Sequence, residues 1–370
     1  MKNRPSRHHY LLLLVIGLLQ FSPQSVSGQK KMDLSLPTFE ARPMVWLDDW
    51  KPADQKVSEQ RKEAKAQVRT ADILKSGQQY GKAEKAYLQA METDSSWAYP
   101  PYQLACNYEL SGQHDKAVSV FKKAVELGFA DFPTALADDE LGELRNGVGF
   151  NKTLAKMREL YIVDGKKKVG TPIAVRPKGD PPKDGWPLIM LLHGYGDTNL
   201  NYISFAKAWA ELGFVAVAVP GSVPADDGRF MWTLNSTDPT LKELRSIVKS
   251  DLLSDVVNAE SVFLLGFSQG ALHSLLLTAE HRDEFAGVVA LSPGGSMSEK
   301  MMVPEIVKGR KGRLVFIHGS EEPHAPIASR WKLACSKSGW EFMSDVHQGG
   351  HHFPRGWEEQ REKVAEFLLK

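Results

Sequence analysis

Residues 261–280 read S-V-F-L-L-G-F-S-Q-G-A-L-H-S-L-L-L-T-A-E, and this segment indicates both a fold class and a candidate site. Val262 to Leu265 is a short apolar run that predicts a buried strand, whereas Ala271 to Glu280 is rich in alanine and leucine and predicts a helix. Ser268, between them, has a glycine two residues away on either side. Such glycines let a strand turn abruptly into a helix without a side-chain clash, which exposes the serine hydroxyl. We therefore predict that Ser268 is a nucleophile.

The pattern around this segment, from about residue 158 onward, alternates strands with helices. Such alternation is typical of a mostly parallel sheet covered on both faces. The strands predicted besides the one before Ser268 are Ile173–Val175, Leu188–Leu192, Val215–Val219, Gly287–Leu291, Leu314–Ile317 and Phe342–Val346.

Two backbone N–H groups are predicted to bind the oxygen that becomes negative when a serine attacks a carbonyl. The amide of Gln269 begins the helix after Ser268. The second donor is expected in the loop after an earlier strand, where residues 192–197 read L-H-G-Y-G-D. We choose the amide of Tyr195, with Gly194 as the alternative. Because Asn199 stands where a dinucleotide-binding G-x-G-x-x-G motif needs its third glycine, a nucleotide site is disfavoured.

The predicted base is a histidine in the C-terminal part of the chain. Residues 348–354 read Q-G-G-H-H-F-P and follow the strand pattern at Phe342–Val346. Small residues ahead of a histidine allow its loop to reach over the nucleophile. In a fold of this kind the usual order along the chain is the nucleophilic serine, then an acid, then the histidine. We assign His351 as the base, with His352 as the alternative.

These motifs, with H-G-S-E-E at residues 318–322, resemble the phospholipase/carboxylesterase and dienelactone hydrolase-like branch of the α/β-hydrolase superfamily. The resemblance covers about residues 170–370. It implies a serine esterase or thioesterase that needs no metal or cofactor. Glu322 falls where the family's H-G-x-x-D motif has its aspartate, so the resemblance implies that Glu322 orients His351. Glu321 is the next choice. Because glutamate is one methylene longer than the family's aspartate, the identity of the acid stays open.

A helical repeat precedes this region. Ala83, Tyr87 and Ala90 recur 34 positions later as Ala117, Phe121 and Ala124. The period is that of helix-turn-helix solenoids, and the second unit resembles the tetratricopeptide family. The repeats are interpreted either as a groove for a protein or peptide partner or as a spacer.

The N-terminus carries a signal-peptide pattern. Arg4 and Arg7 precede the apolar block Leu11 to Leu19, and small or polar residues follow through Gly28. The block is short for a membrane span. We predict a signal peptide at 1–28, and export to the periplasm or medium without a stable membrane span, with an uncleaved anchor as the alternative.

The other predicted boundaries are a tether or exposed helix at 29–65, tetratricopeptide-like repeats at 66–157 and an α/β-hydrolase domain at 158–370. The formal net charge is +1, which offers no general attraction to nucleic acid. The loop around Phe230, Met231 and Trp232 is predicted to bind the small-molecule ester substrate. Two rivals are a serine peptidase on the same fold and a non-catalytic scaffold that binds a partner through the repeats.

Overall fold

The computed structural model describes residues 35–52, 58–147, 149–295, 297–302, 304–307, 309–354 and 356–370. The chain divides into two compact units. One combines Thr38–Trp50 with Val169–Lys370, and the other contains Lys51–Lys168. The predicted signal peptide, residues 1–28, lies outside the described residues. Within the described ranges, no helix has both the length and the apolar character required to cross a membrane.

The unit at Lys51–Lys168 is helical. Its first helix begins after Ser58, whose hydroxyl accepts a hydrogen bond from the amide of Arg61 and so caps the helix. A 3₁₀ segment at Asp139–Asn146 separates the last two helices. The helices are α1 (Glu59–Ser76), α2 (Tyr80–Thr93), α3 (Tyr99–Leu110), α4 (His114–Glu126), α5 (Phe132–Ala137) and α6 (Phe150–Lys168).

The 34-residue repeat corresponds to two helical hairpins, α1 with α2 and α3 with α4. Its small members are fully buried, which lets paired helices approach closely. The aromatic members Tyr87 and Phe121 are also buried and fill the space beside them. The repeat predicted from the sequence therefore has a packing role in this unit.

The unit that combines Thr38–Trp50 with Val169–Lys370 is a sheet with helices on both faces. Its strands are β1 (Val45–Trp46), β2 (Ile173–Val175), β3 (Trp186–Leu192), β4 (Val215–Val219), β5 (Val223–Pro224), β6 (Phe230–Met231), β7 (Val257–Phe267), β8 (Gly287–Leu291), β9 (Arg313–Gly319) and β10 (Glu341–His347). Its helices are α7 (Ile203–Glu211), α8 (Asp238–Val248), α9 (Gln269–Glu280), α10 (Ser298–Met302), α11 (Ala325–Ser338) and α12 (Trp357–Leu369).

Eight strands form the main sheet in the order β1-β2-β4-β3-β7-β8-β9-β10, and β5 pairs with β6 in a separate hairpin. Every neighbouring pair of the main sheet is parallel except β2 with β4. Because parallel strands end at the same edge, the loops after β3, β7, β8, β9 and β10 meet there. The predicted mostly parallel α/β architecture is confirmed.

The sheet separates two apolar cores. Along β3, Leu188, Met190 and Leu192 pack on one face, and Ile189 and Leu191 pack on the other. Both sets are fully buried. A strand covered on both faces reads as a continuous apolar run, which is why β3, β4 and β8 were recognisable in the sequence.

Part of the segment expected at 29–65 as a tether or exposed helix joins the sheet instead, whereas its end, from Glu59, is helical. Val45–Trp46 is an edge strand that pairs with β2, and the first helix starts at Glu59. The amide of Val45 donates to the carbonyl of Pro172, and that of Leu47 donates to Ala174. These backbone hydrogen bonds add one edge strand to the sheet.

Candidate active site

Ser268 lies at the turn between β7 and α9. Its φ is 54° and its ψ is −119°, a conformation that costs a non-glycine residue about 1–3 kcal/mol. A Cβ at Gly266 would lie 2.3 Å from the backbone of Gly270, and one at Gly270 would lie 2.3 Å from the carbonyl of Leu192. The close approach of three backbones therefore requires both glycines, and it holds the serine hydroxyl at the edge of the sheet.

Ser268, His351 and Glu322 lie in one hydrogen-bonded line. The Ser268 hydroxyl is 2.8 Å from His351 Nε2, and His351 Nδ1 is 2.7 Å from Glu322 Oε1. In the neutral tautomer that fits both contacts, Nδ1–H donates to the carboxylate and Nε2 accepts from the serine. The structure thus brings together the three residues that the sequence nominated, in the geometry of a serine nucleophile with its base and acid.

The carboxylate of Glu322 is 6% exposed and is well supplied with donors. Its Oε2 accepts from the Ser292 hydroxyl at 2.7 Å and from the Gly319 amide at 2.6 Å. The Nδ1 of His324 is 3.4 Å from Oε1. Burial alone would raise the pKa of Glu322, but these groups and His351 outweigh it and hold the pKa well below its usual range. Glu322 is therefore ionised at neutral pH.

The two alternatives from the sequence lie off this line. The side chain of Glu321 is exposed, and its amide donates to the carbonyl of Gly349. His352 directs Nδ1 to the carbonyl of Phe353, at 2.9 Å. Neither residue has a hydrogen bond to Ser268 or His351 among those found in the described residues.

The predicted oxyanion donors belong to backbones beside Ser268. Gln269 is the first residue of α9, where N–H groups have no intrahelical partner and the helix dipole favours a negative charge. The loop with Tyr195 also passes close, because a Cβ at Gly194 would lie 3.6 Å from the Cβ of Ser268. The side chain of Tyr195 is 43% exposed. The loop after β3 and the start of α9 thus flank the nucleophile.

Phe230, Met231 and Trp232, predicted to bind substrate, are placed differently. Their side chains are 4%, 3% and 0% exposed, so they do not form an open surface. Phe230–Met231 is strand β6 of the small hairpin, and the rings of Phe230 and Trp232 lie 6.2 and 5.1 Å from that of His193. The apolar side chains that suggested a binding loop instead pack beside His193, on the side of the site where the oxyanion donors are assigned.

Three half-buried phenylalanines lie beside the triad and were not predicted. The ring of Phe267 is 5.2 Å from that of His351 and 5.7 Å from that of Phe353. The Phe353 ring is in turn 4.6 Å from that of Phe205. Two of them could have been found from their neighbours in sequence, since Phe267 precedes the nucleophile and Phe353 follows the histidine pair.

A cluster that could hold a metal ion lies in the helical unit. The ligand atoms of Cys106, Asp138 and Glu140 lie within 4.8 Å of one another. Burial and the adjacent Asp138 raise the pKa of the Cys106 thiol, which keeps it protonated. Tyr102 donates to Asp138 and Lys75 donates to Glu140. Protein donors therefore already satisfy these carboxylates.

Comparison with known families supports the fold. A family model described as serine aminopeptidase, S33, matches residues 186–326, and a tetratricopeptide repeat model matches residues 102–127. The first match includes Ser268 and Glu322 and ends before His351. No curated protein matches the chain.

Several solved structures are similar to this chain. A carboxylesterase from Bacillus cereus is 15% identical with a TM-score of 0.43, over 53% of this chain and 93% of that one. A phospholipase/carboxylesterase from Dyadobacter fermentans is 20% identical with a TM-score of 0.38, over 54% and 96%. An uncharacterized protein from Bacillus cereus is 16% identical with a TM-score of 0.42, over 82% and 99%.

The sheet order, the strand-to-helix turn at Ser268 and the family match over residues 186–326 agree with one another. The chain has the α/β-hydrolase fold, is similar to a hydrolase family over residues 186–326 and carries tetratricopeptide-like helices.

Proposed function

We propose that the protein is a serine hydrolase that cleaves carboxylic esters or thioesters through an acyl-serine intermediate. The observation that carries the proposal is the line from Glu322 through His351 to Ser268, with contacts of 2.7 and 2.8 Å. The strained backbone of the serine is a second mark of a site organised for chemistry.

In the first step, the oxygen of Ser268 attacks the ester carbonyl while His351 Nε2 takes the hydroxyl proton. Ionised Glu322 stabilises the imidazolium that forms, and the carbonyl oxygen gains a negative charge. The amides of Gln269 and Tyr195 are assigned to that oxygen. When the tetrahedral intermediate collapses, His351 returns the proton to the leaving alcohol or thiol.

The second step repeats the first with water as the nucleophile. His351 accepts a proton from water, the hydroxide attacks the acyl-serine carbonyl, and the same amides bind the oxygen. Collapse releases the carboxylic acid and returns the proton to Ser268. Every proton transfer in both steps therefore passes through His351.

The aromatic rings beside the triad suggest the kind of ester. Phe267 is half-buried against His351, and the half-buried rings of Phe353 and Phe205 extend this apolar surface away from it. An acyl or alcohol group that covers this surface gains about 25 cal/mol per Å² of apolar area removed from water. The proposal therefore favours small esters with an apolar group.

Peptide hydrolysis is the second candidate, because the matching family model is described as a serine aminopeptidase. It would use the same three side chains. Aminoacyl p-nitroanilides and short p-nitrophenyl esters, assayed side by side, separate the two, since turnover of the anilides alone would favour the peptidase.

We also propose that the protein is exported, from the apolar block at residues 11–19 and the small residues after it. Expression of the full chain followed by cell fractionation tests this. A mature protein that begins near Gln29 outside the cytoplasm is expected, and retention of the intact chain inside the cell would reject export.

The catalytic proposal is tested at the nucleophile. Ser268→Ala should abolish hydrolysis of p-nitrophenyl butyrate and labelling by a fluorophosphonate probe. Ser329→Ala is the matched control, because this exposed serine only hydrogen-bonds the carbonyl of Ala325. Circular dichroism should show both variants folded. Undiminished turnover in the Ser268 variant would reject the assignment.

A further inference from the structure

The loop after β3, residues 193–197, carries the assigned Tyr195 donor and is called the oxyanion loop here. It is held by a neutral, buried histidine. His193 directs Nδ1 to the carbonyl of Gly194 at 2.7 Å, and its Nε2 is 3.0 Å from the amide of Gly221. One nitrogen therefore donates and the other accepts, which requires the uncharged ring. Burial lowers the pKa of His193 to about 4. At neutral pH His193 is a fixed link between two loops.

Trp232 connects the oxyanion loop to α9, the helix that follows Ser268. Its indole N–H donates to the carbonyl of His193 at 2.8 Å. Its backbone amide donates to Gln269 Oε1 at 3.1 Å, and its carbonyl accepts from Gln269 Nε2 at 2.9 Å. Trp232 and Gln269 are buried. The side chain of Gln269 thus clamps the peptide groups of Trp232, and the indole clamps the oxyanion loop.

The carbonyl of His193 lies against the start of α9, which carries one of the two assigned oxyanion donors. A Cβ at Gly270 would lie 2.5 Å from the carbonyl oxygen of His193, so the loop passes directly against the start of α9. One donor, the amide of Tyr195, follows His193 by two residues, and the other belongs to Gln269 itself. The indole hydrogen bond therefore fixes the spacing between the pieces of backbone that carry the donors.

We propose that Trp232 is a positioning residue for the oxyanion hole, acting through the carbonyl of His193 and held by the side chain of Gln269. The inference rests on the proposed serine hydrolase function. Trp232 is 0% exposed, so its role is to keep the donors at their distance without touching the substrate. Donors fixed in advance stabilise the developing oxyanion more than the ground-state carbonyl, so loss of the clamp should lower kcat and leave KM nearly unchanged.

The test compares three buried tryptophans. Trp232→Phe removes the indole donor, whereas Trp209→Phe removes a buried indole N–H that has no hydrogen-bond partner among the described residues. Trp331→Phe removes an indole hydrogen bond to the carbonyl of Met301, which is outside the site. With p-nitrophenyl butyrate, Trp232→Phe should lower kcat about 10- to 100-fold, the cost of a donor displaced by a fraction of an ångström. KM in this variant and both constants in the two controls should change less than about threefold.

Gln269→Met tests the other end of the clamp. It keeps the backbone amide of residue 269 and removes both side-chain hydrogen bonds to Trp232. If the two residues act in series, the double variant should be no slower than the slower single variant. A double variant in which the loss of kcat equals the product of the two single losses would contradict the serial arrangement.

A shape-preserving replacement covers the case in which Trp232→Phe fails to fold. Benzothienylalanine at position 232 keeps the bicyclic ring and replaces N–H with sulfur, so kcat should still fall about 10-fold or more. A wild-type kcat with this residue, or a change confined to KM, would overturn the positioning role. A wild-type protein without esterase turnover would instead reject the proposed function.

Discussion

Each unit of the molecule pairs a carboxylate with a basic side chain, and the two pairs differ in the basic group that meets the carboxylate. In the helical unit the ammonium of Lys75, 7% exposed, donates to Glu140. Burial opposes the charge of Lys75, but the carboxylates of Glu140 and Asp72 outweigh it and raise its pKa. In the catalytic unit the partner of Glu322 is the imidazole of His351.

This difference separates a structural contact from a reactive one. A lysine with a raised pKa stays charged at neutral pH, so its ion pair does not change during a reaction. An imidazole can take up and release a proton during a reaction, and its second nitrogen can reach another group. In this molecule that group is Ser268, 2.8 Å from His351 Nε2. Buried carboxylates therefore indicate function only together with the partner they face.

The largest effect is expected at the base. His351→Ala should lower kcat/KM for p-nitrophenyl butyrate by about 10⁴-fold or more, because no other group can take the serine proton. His352→Ala is the control, since its ring hydrogen-bonds the carbonyl of Phe353, and its rate should stay within about threefold of wild type. Equal losses of kcat/KM in the two variants would contradict the assignment of His351, and not His352, as the base.

Replacement of the acid should have the next largest effect. Glu322→Gln keeps the length of the side chain and removes its charge, so kcat should fall about 10³- to 10⁴-fold as the imidazolium loses its partner. Glu321→Gln should change kcat less than about threefold, because that side chain is exposed. A Glu321 variant as slow as the Glu322 variant would show that the acid is misassigned.

Acid should weaken the catalytic unit more than the helical unit. Burial lowers the pKa of His193 and of His273 to about 4, against about 6.5 in the unfolded chain. The unfolded state therefore binds more protons below pH 6.5, and stability falls as the pH drops from about 6.5 to about 4. Each histidine contributes up to about 3 kcal/mol.

Glu322 extends this loss to more acidic solution, because its lowered pKa stabilises the folded state above the ordinary carboxyl pKa of 4.5, and that stabilisation is lost as the pH falls below 4.5. Hydrogen exchange read by mass spectrometry, corrected for the intrinsic pH dependence, resolves the two units. Protection of β3 and α9 should fall between pH 7 and 5 before that of α2 and α3, and His273→Gln should reduce the difference. A parallel loss in both units would contradict the assignment.

The smallest effect is expected in the helical cluster. Lys75→Met should destabilise that unit by about 1–2 kcal/mol. The loss is below that of a fully buried pair because Glu140 is 41% exposed and can turn to water. Lys82→Met, at an exposed position of α2, should change stability by less than about 0.5 kcal/mol. Urea unfolding followed by hydrogen exchange in α1 and α3 measures both, and esterase kcat should be unaffected by either.

The fold and the approximate place of the three hydrogen-bonded side chains could be predicted from the sequence, because both depend on simple order along the chain. Buried parallel strands read as apolar runs, and their ends converge at one edge. Once Ser268 was placed after one strand, residues after two later strands had to lie near it. The order of the strands explains why the loops of His351 and Glu322 lie near Ser268, whereas the choice of Glu322 came from the resemblance to the H-G-x-x-D motif, and only the structure shows that the longer acid reaches the imidazole.

The supporting contacts could not be predicted because they depend on packing between distant segments. The hydroxyl of Ser292 reaches Glu322 only because Ser292 takes a φ of 46° after β8. The burial of Phe230, Met231 and Trp232 likewise arises from the hairpin at β5 and β6 and from the side chain of Gln269. The sequence of an aromatic loop does not show whether its side chains face a substrate or the interior of the protein.

The edge strand β1 changes how the chain can be divided. Val45–Trp46 pairs with Ile173–Ala174, so the sheet already has one strand before the repeats begin and takes its next strand after they end. The helical unit is consequently an insert within a discontinuous hydrolase. A fragment that starts at residue 158 or 169 would expose the β2 edge, whereas a short linker from Trp50 to Val169 would excise the insert and keep the sheet whole.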